Sequence, residues 1–145
     1  SILVEFCKRL TMDAQLLNRN VIYDIQLSSN CYVSMDEKLF VRALENITNN
    51  AFRYTSNNGN ITIKSFINEK TNTPTISIKD DGQGISKKDL PFIFDPLYRG
   101  TNSRREEGKG LGLSVVKTVV DCHGWNLHVK SEEGKGSEFI IQLGM

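Results

Sequence analysis

Hydrophobic spacing in this chain switches repeatedly between two periods, so it cannot fold as helices alone or as strands alone. Leu3, Phe6, Leu10, Ala14 and Leu17 recur at intervals of three and four, the signature of one face of a helix over Ile2–Leu17. Val21, Tyr23, Ile25 and Leu27 then alternate with polar residues, Ser28-Ser29-Asn30 supplies a turn, and Tyr32-Val33 begins another extended piece. A hairpin is therefore expected after the first helix. Asp36 can cap a second helix whose core stripe, Phe40, Ala43, Leu44, Ile47 and Ala51, continues to about Tyr54. Past the turn cluster Asn57-Asn58-Gly59-Asn60 the alternation returns in Ile61–Phe66 and again in Thr75–Ile78, which reads as two antiparallel strands. Leu111–Cys122 is an apolar helix closing at Gly124, and Leu127–Val129 and Phe139–Leu143 are strands joined by a Glu133-Gly134-Lys135-Gly136 turn. The order helix, hairpin, helix, hairpin, loop, helix, hairpin predicts an α+β fold, a two-layer sandwich with three helices on one face of a mixed sheet.

At 145 residues, with no internal repeat and no linker, the chain is expected to form one domain over 1–145. Its net charge of +1 provides no field to hold a polyanion, so neither nucleic acid nor a direct membrane contact is expected. No stretch approaches the ~20 apolar residues of a membrane span, and residues 1–30 lack the order of a signal peptide. Cys7, Cys31 and Cys122 are odd in number and widely spaced, which fits reduced thiols acting as small buried hydrophobes in a cytoplasmic setting. Ser1 stands inside a helical pattern, and the chain is expected to be a fragment of a longer protein.

Three segments carry chemistry. In the helix Glu45–Tyr54, Asn46, Asn50 and Arg53 lie within about 60° of one another, a polar ridge roughly 100° round from the core stripe. Asparagine costs helix stability against alanine, and its amide oxygen suits a hard cation such as Mg²⁺, although a plain solvated face accounts for the same pattern. Ile76–Ile85 reads as a strand ending in Asp80-Asp81-Gly82-Gln83-Gly84. Glycines there let backbone pass close to a planar ligand, and Asp80 can accept from an exocyclic amine, where the simpler reading is a tight turn. Gly108-Lys109-Gly110-Leu111-Gly112-Leu113 enters a helix and can cradle a polyphosphate. It is neither a Walker A loop nor a Rossmann turn. Residues 80–110 hold five of the eleven glycines and two of the three prolines, a composition suited to a long functional loop.

In this order the segments resemble the N, G1 and G2 boxes of the catalytic, ATP-binding domain of sensor histidine kinases, in the superfamily shared with gyrase, Hsp90 and MutL. Pro91–Arg99 looks like the F box, and Gly134–Phe139 like the last glycine turn and strand, so the resemblance covers Val21 to Leu143. It implies a Bergerat-type fold with a five-stranded, mostly antiparallel sheet, and ATP and Mg²⁺ as ligands. Asn50 matches the Mg²⁺ ligand, Asn46 the polar residue one turn before it, and Arg53 and Arg99 basic phosphate contacts. Tyr54 matches the aromatic on the adenine, Asp80 the acceptor for its amine, and Gly82, Gly84 and Ile85 the wall of the base. Ser137 matches a hydroxyl supporting Asp80. Gly108, Gly110, Leu111, Gly112 and Leu113 match the phosphate cradle, with Lys109 beside it, and Gly100–Glu107 the ATP lid. Asn49 falls further round the helix. Leu97 stands where an aromatic is usual and Trp125 where a second glycine often follows, which bears on lid packing.

The resemblance further implies transfer of the γ-phosphate to a histidine on an absent dimerisation domain, in a homodimer, with a response regulator as the next acceptor. The whole protein would then be a sensor of the inner or cell membrane, with this domain in the cytoplasm. His123 and His128 lack the acidic neighbour usual for a phosphoacceptor and are expected to be structural. The competing reading is an ATP hydrolase of the gyrase and Hsp90 kind, in which a glutamate four residues before the Mg²⁺ asparagine activates water. That position is Asn46, which cannot act as a base, and Glu45 points about 100° away. A third reading is a non-catalytic nucleotide sensor or docking module.

Overall fold

The computed structural model describes residues 2–27, 31–96 and 112–144. In chain order the elements are α1 (Ile2–Leu16), β1 (Asn20–Ile25), α2 (Glu37–Tyr54), β2 (Asn60–Asn68), β3 (Thr73–Asp80), a short 3-10 turn (Leu90–Phe92), α3 (Gly112–Cys122), β4 (Asn126–Glu132) and β5 (Gly136–Gln142). The five strands form one sheet in the order β1-β2-β3-β5-β4. Only the β1–β2 pairing is parallel. The expected α+β sandwich, with helices on one side of a mixed five-stranded sheet, is the architecture observed.

The hairpin expected after α1 does not form. Residues 31–36 contain no strand, Tyr32 is exposed, and β1 instead pairs in parallel with β2, Val21 opposite Ile61 and Ile25 opposite Ser65. Alternation marks β1 as a strand, but the choice of partner belongs to the α2 crossover, since a parallel neighbour needs a long return connection rather than a tight turn.

Period-two alternation sorts the sheet into two faces. Ile61 and Ile63 of β2, Ile76 and Ile78 of β3, and Phe139 and Ile141 of β5 are buried against the helices. Thr62, Lys64, Lys79, Glu138 and Lys130 fall on the opposite face, where Lys79 and Lys130 flank Glu138 in register. Across the layer, Leu44 and Ile47 of α2 and Val116 and Val120 of α3 are likewise almost fully buried. Each such side chain contributes roughly 1.5–3 kcal/mol by leaving water. Asp36 caps α2 as expected, its Oδ1 accepting from Leu39 N at 3.1 Å.

Trp125 is 7 % exposed, with its ring 6.0 Å edge-on to Phe40. It fills the core at the first turn of α2, ten residues or ~15 Å along the helix from Asn50. The departure from the glycine pattern thus serves core packing at the far end of the helix. The cysteines divide: Cys7 is buried and desolvation pushes its thiol up to about 11, while Cys31 is half-buried and Cys122 exposed, so the expectation that all three are buried holds for Cys7 alone. Cys122 is the last residue of α3, beyond the Val116–Val120 stripe that meets the sheet.

Candidate nucleotide-binding site

α2 presents three faces about 120° apart. One, centred on Leu44, Ile47 and Ala51, meets the core. A second, with Glu45, Thr48, Asn49 and Phe52, lines a groove of about 470 Å³ against Phe6, Arg9 and Leu10 of α1. Glu45 pairs there with Arg9 at 3.5 Å. The third carries Asn46, Asn50, Arg53 and Tyr54. Asn46, Asn50 and Tyr54 are half-buried, Arg53 is exposed, and neither asparagine amide has a hydrogen-bond partner among the described residues. The structure thus puts the sequence-assigned ridge on one face and turns Asn49 towards α1.

The strand-end acidic pair divides by the same alternation. Asp81 is exposed and bidentate on Asn60, its Oδ1 accepting the main-chain N–H and its Oδ2 the side-chain amide, both at 2.9 Å. That holds the start of β2. Asp80 faces inward at the end of β3 and is 6 % exposed. Its Oδ1 accepts from Gly82 N at 2.9 Å. Burial raises the Asp80 pKa above its ordinary value and the Asp81 charge adds to this, whereas the Gly82 and Ser137 main-chain N–H groups lower it. Ser137 therefore does act on Asp80, but through its main chain. Its hydroxyl lies 2.8 Å from Ser131 Oγ, a correction to the expected hydroxyl support.

The glycines of the 82–84 turn have a reason that the spacing did not show. A side chain at Gly82 would come within 2.3 Å of the Tyr54 carbonyl, and one at Gly84, whose φ is +72°, within 2.2 Å of the Glu132 carbonyl. The close approach that demands glycine is between main chains: the turn threads between the end of α2 and the β4–β5 connection. Gln83 N donates to Tyr54 O at 3.1 Å and Gly134 N to Gln83 O at 2.7 Å, pinning it on both sides. Ile85 follows, part-buried against the core, with its N–H donating to Ser131 Oγ at 2.7 Å.

Gly112, at the start of α3, has nothing within 4 Å of where a Cβ would stand. No packing demand inside the described residues calls for glycine there, and the open space suits a ligand approaching the helix N-terminus. Leu113 packs on the core. The F-box segment is pinned by buried Ile93 and by Phe94, whose ring meets Phe139 edge-on at 6.5 Å. Arg99, Gly108, Lys109, Gly110, Leu111 and the Gly100–Glu107 segment lie outside the described residues, as does Leu97.

Sequence reasoning missed two residues. Ser131 joins the 82–85 turn to β5. Arg19 donates to Phe52 O at 3.2 Å, Leu17 O at 2.6 Å and Asn57 Oδ1 at 3.1 Å, tying the α1–β1 connection to the last turn of α2. Neither has a local signature, because the ties from Ser131 to Ile85 and from Arg19 to Phe52 and Asn57 join residues distant in sequence. His123 is structural as expected: Nδ1 lies 2.8 Å from Val119 O and Nε2 accepts from Asp36 N at 3.0 Å, so both ring nitrogens are engaged. His128 is exposed on the face of the sheet away from the helices, opposite Ile140.

The family model described as histidine kinase-, DNA gyrase B- and HSP90-like ATPase matches residues 35–145. The sensor histidine kinase WalK of Bacillus subtilis (strain 168) is 38% identical over 114 residues, 77% of this chain and 19% of that protein. The sensor histidine kinase GraS of Staphylococcus haemolyticus (strain JCSC1435) is 36% identical over 141 residues, 92% of this chain and 40% of that protein. The chain thus spans well under half the length of these relatives. Among solved structures, a mycobacterial sensor histidine kinase, MprB, superposes with a TM-score of 0.83 at 23% identity, covering 98% of this chain and 92% of that one. Fold, family match and relatives agree: the chain belongs to the histidine kinase-, DNA gyrase B- and HSP90-like ATPase family, as an ATP-binding domain of the sensor-histidine-kinase kind.

Proposed function

We propose that this domain binds ATP with Mg²⁺ and presents the γ-phosphate to a histidine on a separate dimerisation domain of the same longer protein, for onward transfer to a response regulator. The observation that carries this reading is the pairing, at one end of the sheet, of a buried carboxylate with a half-buried asparagine ridge. Asp80, desolvated but still offering lone pairs, is suited to accept from an adenine amine, and Asn46 and Asn50 are suited to oxygen chemistry at the phosphates. Asn50 would hold the metal, which when bound neutralises charge on the phosphates. One neutral amide is a weak cage, so metal affinity should depend on the nucleotide's own oxygens. Tyr54, Gly82, Gly84 and Ile85 would enclose the base, Gly112 and Leu113 open the phosphate end, and Arg53 would add positive charge. From beyond the described residues we assign Arg99, Gly108, Lys109, Gly110 and Leu111 to the phosphates and Gly100–Glu107 to a lid.

Phosphoryl transfer asks mainly for positioning and charge neutralisation, which these groups supply. Hydrolysis asks in addition for a base that activates water. Asn46 cannot be that base, and Glu45 is engaged with Arg9 on the face of α2 that meets α1. Calorimetric titration with ATP should show micromolar to millimolar binding that needs Mg²⁺. With γ-labelled ATP the 145-residue chain should stay unlabelled, while the full-length protein labels on a histidine outside it. Stable label on His123 or His128, or binding indifferent to Mg²⁺, would overturn the proposal.

A further inference from the structure

Three polar residues stand in one row across three strands, on the face turned to the helices: Asp80 of β3 opposite Ser137 of β5, and Ser137 opposite Ser131 of β4. Asp80 and Ser137 are both buried. Ser131 Oγ has three neighbours, Ile85 N at 2.7 Å, Gly136 O at 3.0 Å and Ser137 Oγ at 2.8 Å. A hydroxyl has one proton and two lone pairs. The Ile85 N–H can only donate and the Gly136 carbonyl can only accept, so the single proton of Ser131 goes to Gly136 O. When all three contacts are hydrogen bonds, Ser137 is the donor in the remaining one, because Ser131 has no second proton to give. With its proton spent on Ser131, the Ser137 hydroxyl can turn only lone pairs elsewhere, beside a carboxylate that when ionised is acceptor-only.

We infer that Ser131 is a specificity-determining positioning residue: by drawing the Ser137 proton to itself, it makes Ser137 and Asp80 a pair of acceptors, so this end of the pocket selects a base that presents donors and rejects one that presents a carbonyl. The inference rests on the reading of Asp80 as the adenine-amine acceptor and goes beyond it, since the discrimination is assigned to a residue that need not touch the base. An exocyclic amine brings two protons to two acceptors. A carbonyl at the same place brings lone pairs to lone pairs and leaves buried groups unpaired, the arrangement that gives the largest discrimination. Without the Ser131 oxygen, the Ser137 hydroxyl is free to rotate and donate to a carbonyl, and the Ile85 N–H loses its acceptor.

The test compares ATP with inosine triphosphate, which carries the same sugar and phosphates but a carbonyl in place of the amine. Affinities are measured by calorimetry with Mg²⁺ on the 145-residue chain at pH 8. The parent should prefer ATP. Ser131→Ala should shrink the ATP-to-ITP ratio by about tenfold. Ser131→Thr, which keeps the hydroxyl, should retain it. Ser137→Ala should shrink it too, and adding Ser131→Ala to that variant should shrink it no further. A Ser131→Ala protein that loses affinity for both nucleotides by the same factor, or a double variant whose two losses simply add, overturns the inference and leaves the Asp80 reading standing. If Ser131→Ala does not fold, a lost ratio in Ser131→Thr, or an unchanged ratio in Ser137→Ala, overturns it equally. A parent that binds both nucleotides alike defeats the Asp80 reading itself, and the inference with it.

Discussion

Asp80, which we assign to the adenine amine, works against the fold that carries it. Its carboxyl is buried beside a second acidic residue, and the two main-chain N–H groups that favour ionisation do not outweigh desolvation, so its pKa lies above the ordinary carboxylate value. The folded state holds this proton more tightly than the unfolded chain does. The stabilising contribution of the group is therefore complete below the unfolded pKa and is lost as pH rises through the folded one, and at neutral pH the ionised carboxylate works against folding. Asp80→Asn keeps the shape and an oxygen for Gly82. It should raise the melting temperature of the nucleotide-free domain at pH 7 by roughly 2–4 °C, with the difference closing as the pH approaches the acid end of that window. The same change should weaken adenine nucleotides more than guanine nucleotides, because guanine offers a carbonyl where adenine offers an amine. Scanning calorimetry across pH, paired with binding titrations, checks both, and a lower melting temperature would make Asp80 an ordinary turn residue. In the parent, ATP affinity should fall as pH drops through the raised pKa, since a protonated carboxyl no longer offers two acceptor oxygens.

At the scale of the element, α2 does the sorting. The core stripe fixes its rotation, which sends Glu45 and Asn49 to α1 and Asn46, Asn50 and Arg53 to the third face, which we assign to the nucleotide. Asn50→Ala should fold normally, because the residue flanks the core without filling it, and should abolish Mg²⁺-dependent phosphotransfer in the full-length protein. Asn49→Ala should change it little, and the reverse ranking would show that the metal assignment sits on the wrong face. Both ends of the helix are tied to distant parts of the chain. His123, its ring stacked 4.2 Å from Trp125, accepts from the N-cap Asp36 and joins the end of α3 to the start of α2. Arg19 binds the Phe52 carbonyl at the other end, next to Tyr54. Arg19→Ala frees that last turn and should cost about 1–2 kcal/mol in urea unfolding while weakening ATP. Unchanged affinity in a destabilised variant would confine Arg19 to a structural role.

Across the whole molecule the candidate site is an assembly of ends: the end of α2, the end of β3, the start of α3 and the β4–β5 turn. A ligand touching all of them stabilises them together. Mg²⁺-ATP at about a hundred times its dissociation constant should add ~2.7 kcal/mol to unfolding, seen as a rise in melting temperature that chelation of the metal largely reverses. No rise at saturating nucleotide would mean that the four ends do not share one ligand. Much of this was legible in the residues alone. Periodicity set the three helices, the register of α2 and the β2–β3 and β4–β5 hairpins, because burial of one face is a local pattern repeated every 3.6 or 2 residues. Spacing alone leaves Asp80 open to a turn reading and the asparagine ridge to a solvated face, and it is the order of the segments, through the resemblance they carry, that singles these residues out. What the residues could not show was which elements meet. The parallel partner of β1, the main-chain crowding that requires Gly82 and Gly84, the hydrogen bond from Ile85 N to Ser131 Oγ, and the Arg19 tie to α2 all join segments tens of residues apart. A hydrogen bond or a close backbone approach between such segments leaves no periodic trace in either, and exists only once the core has brought them together.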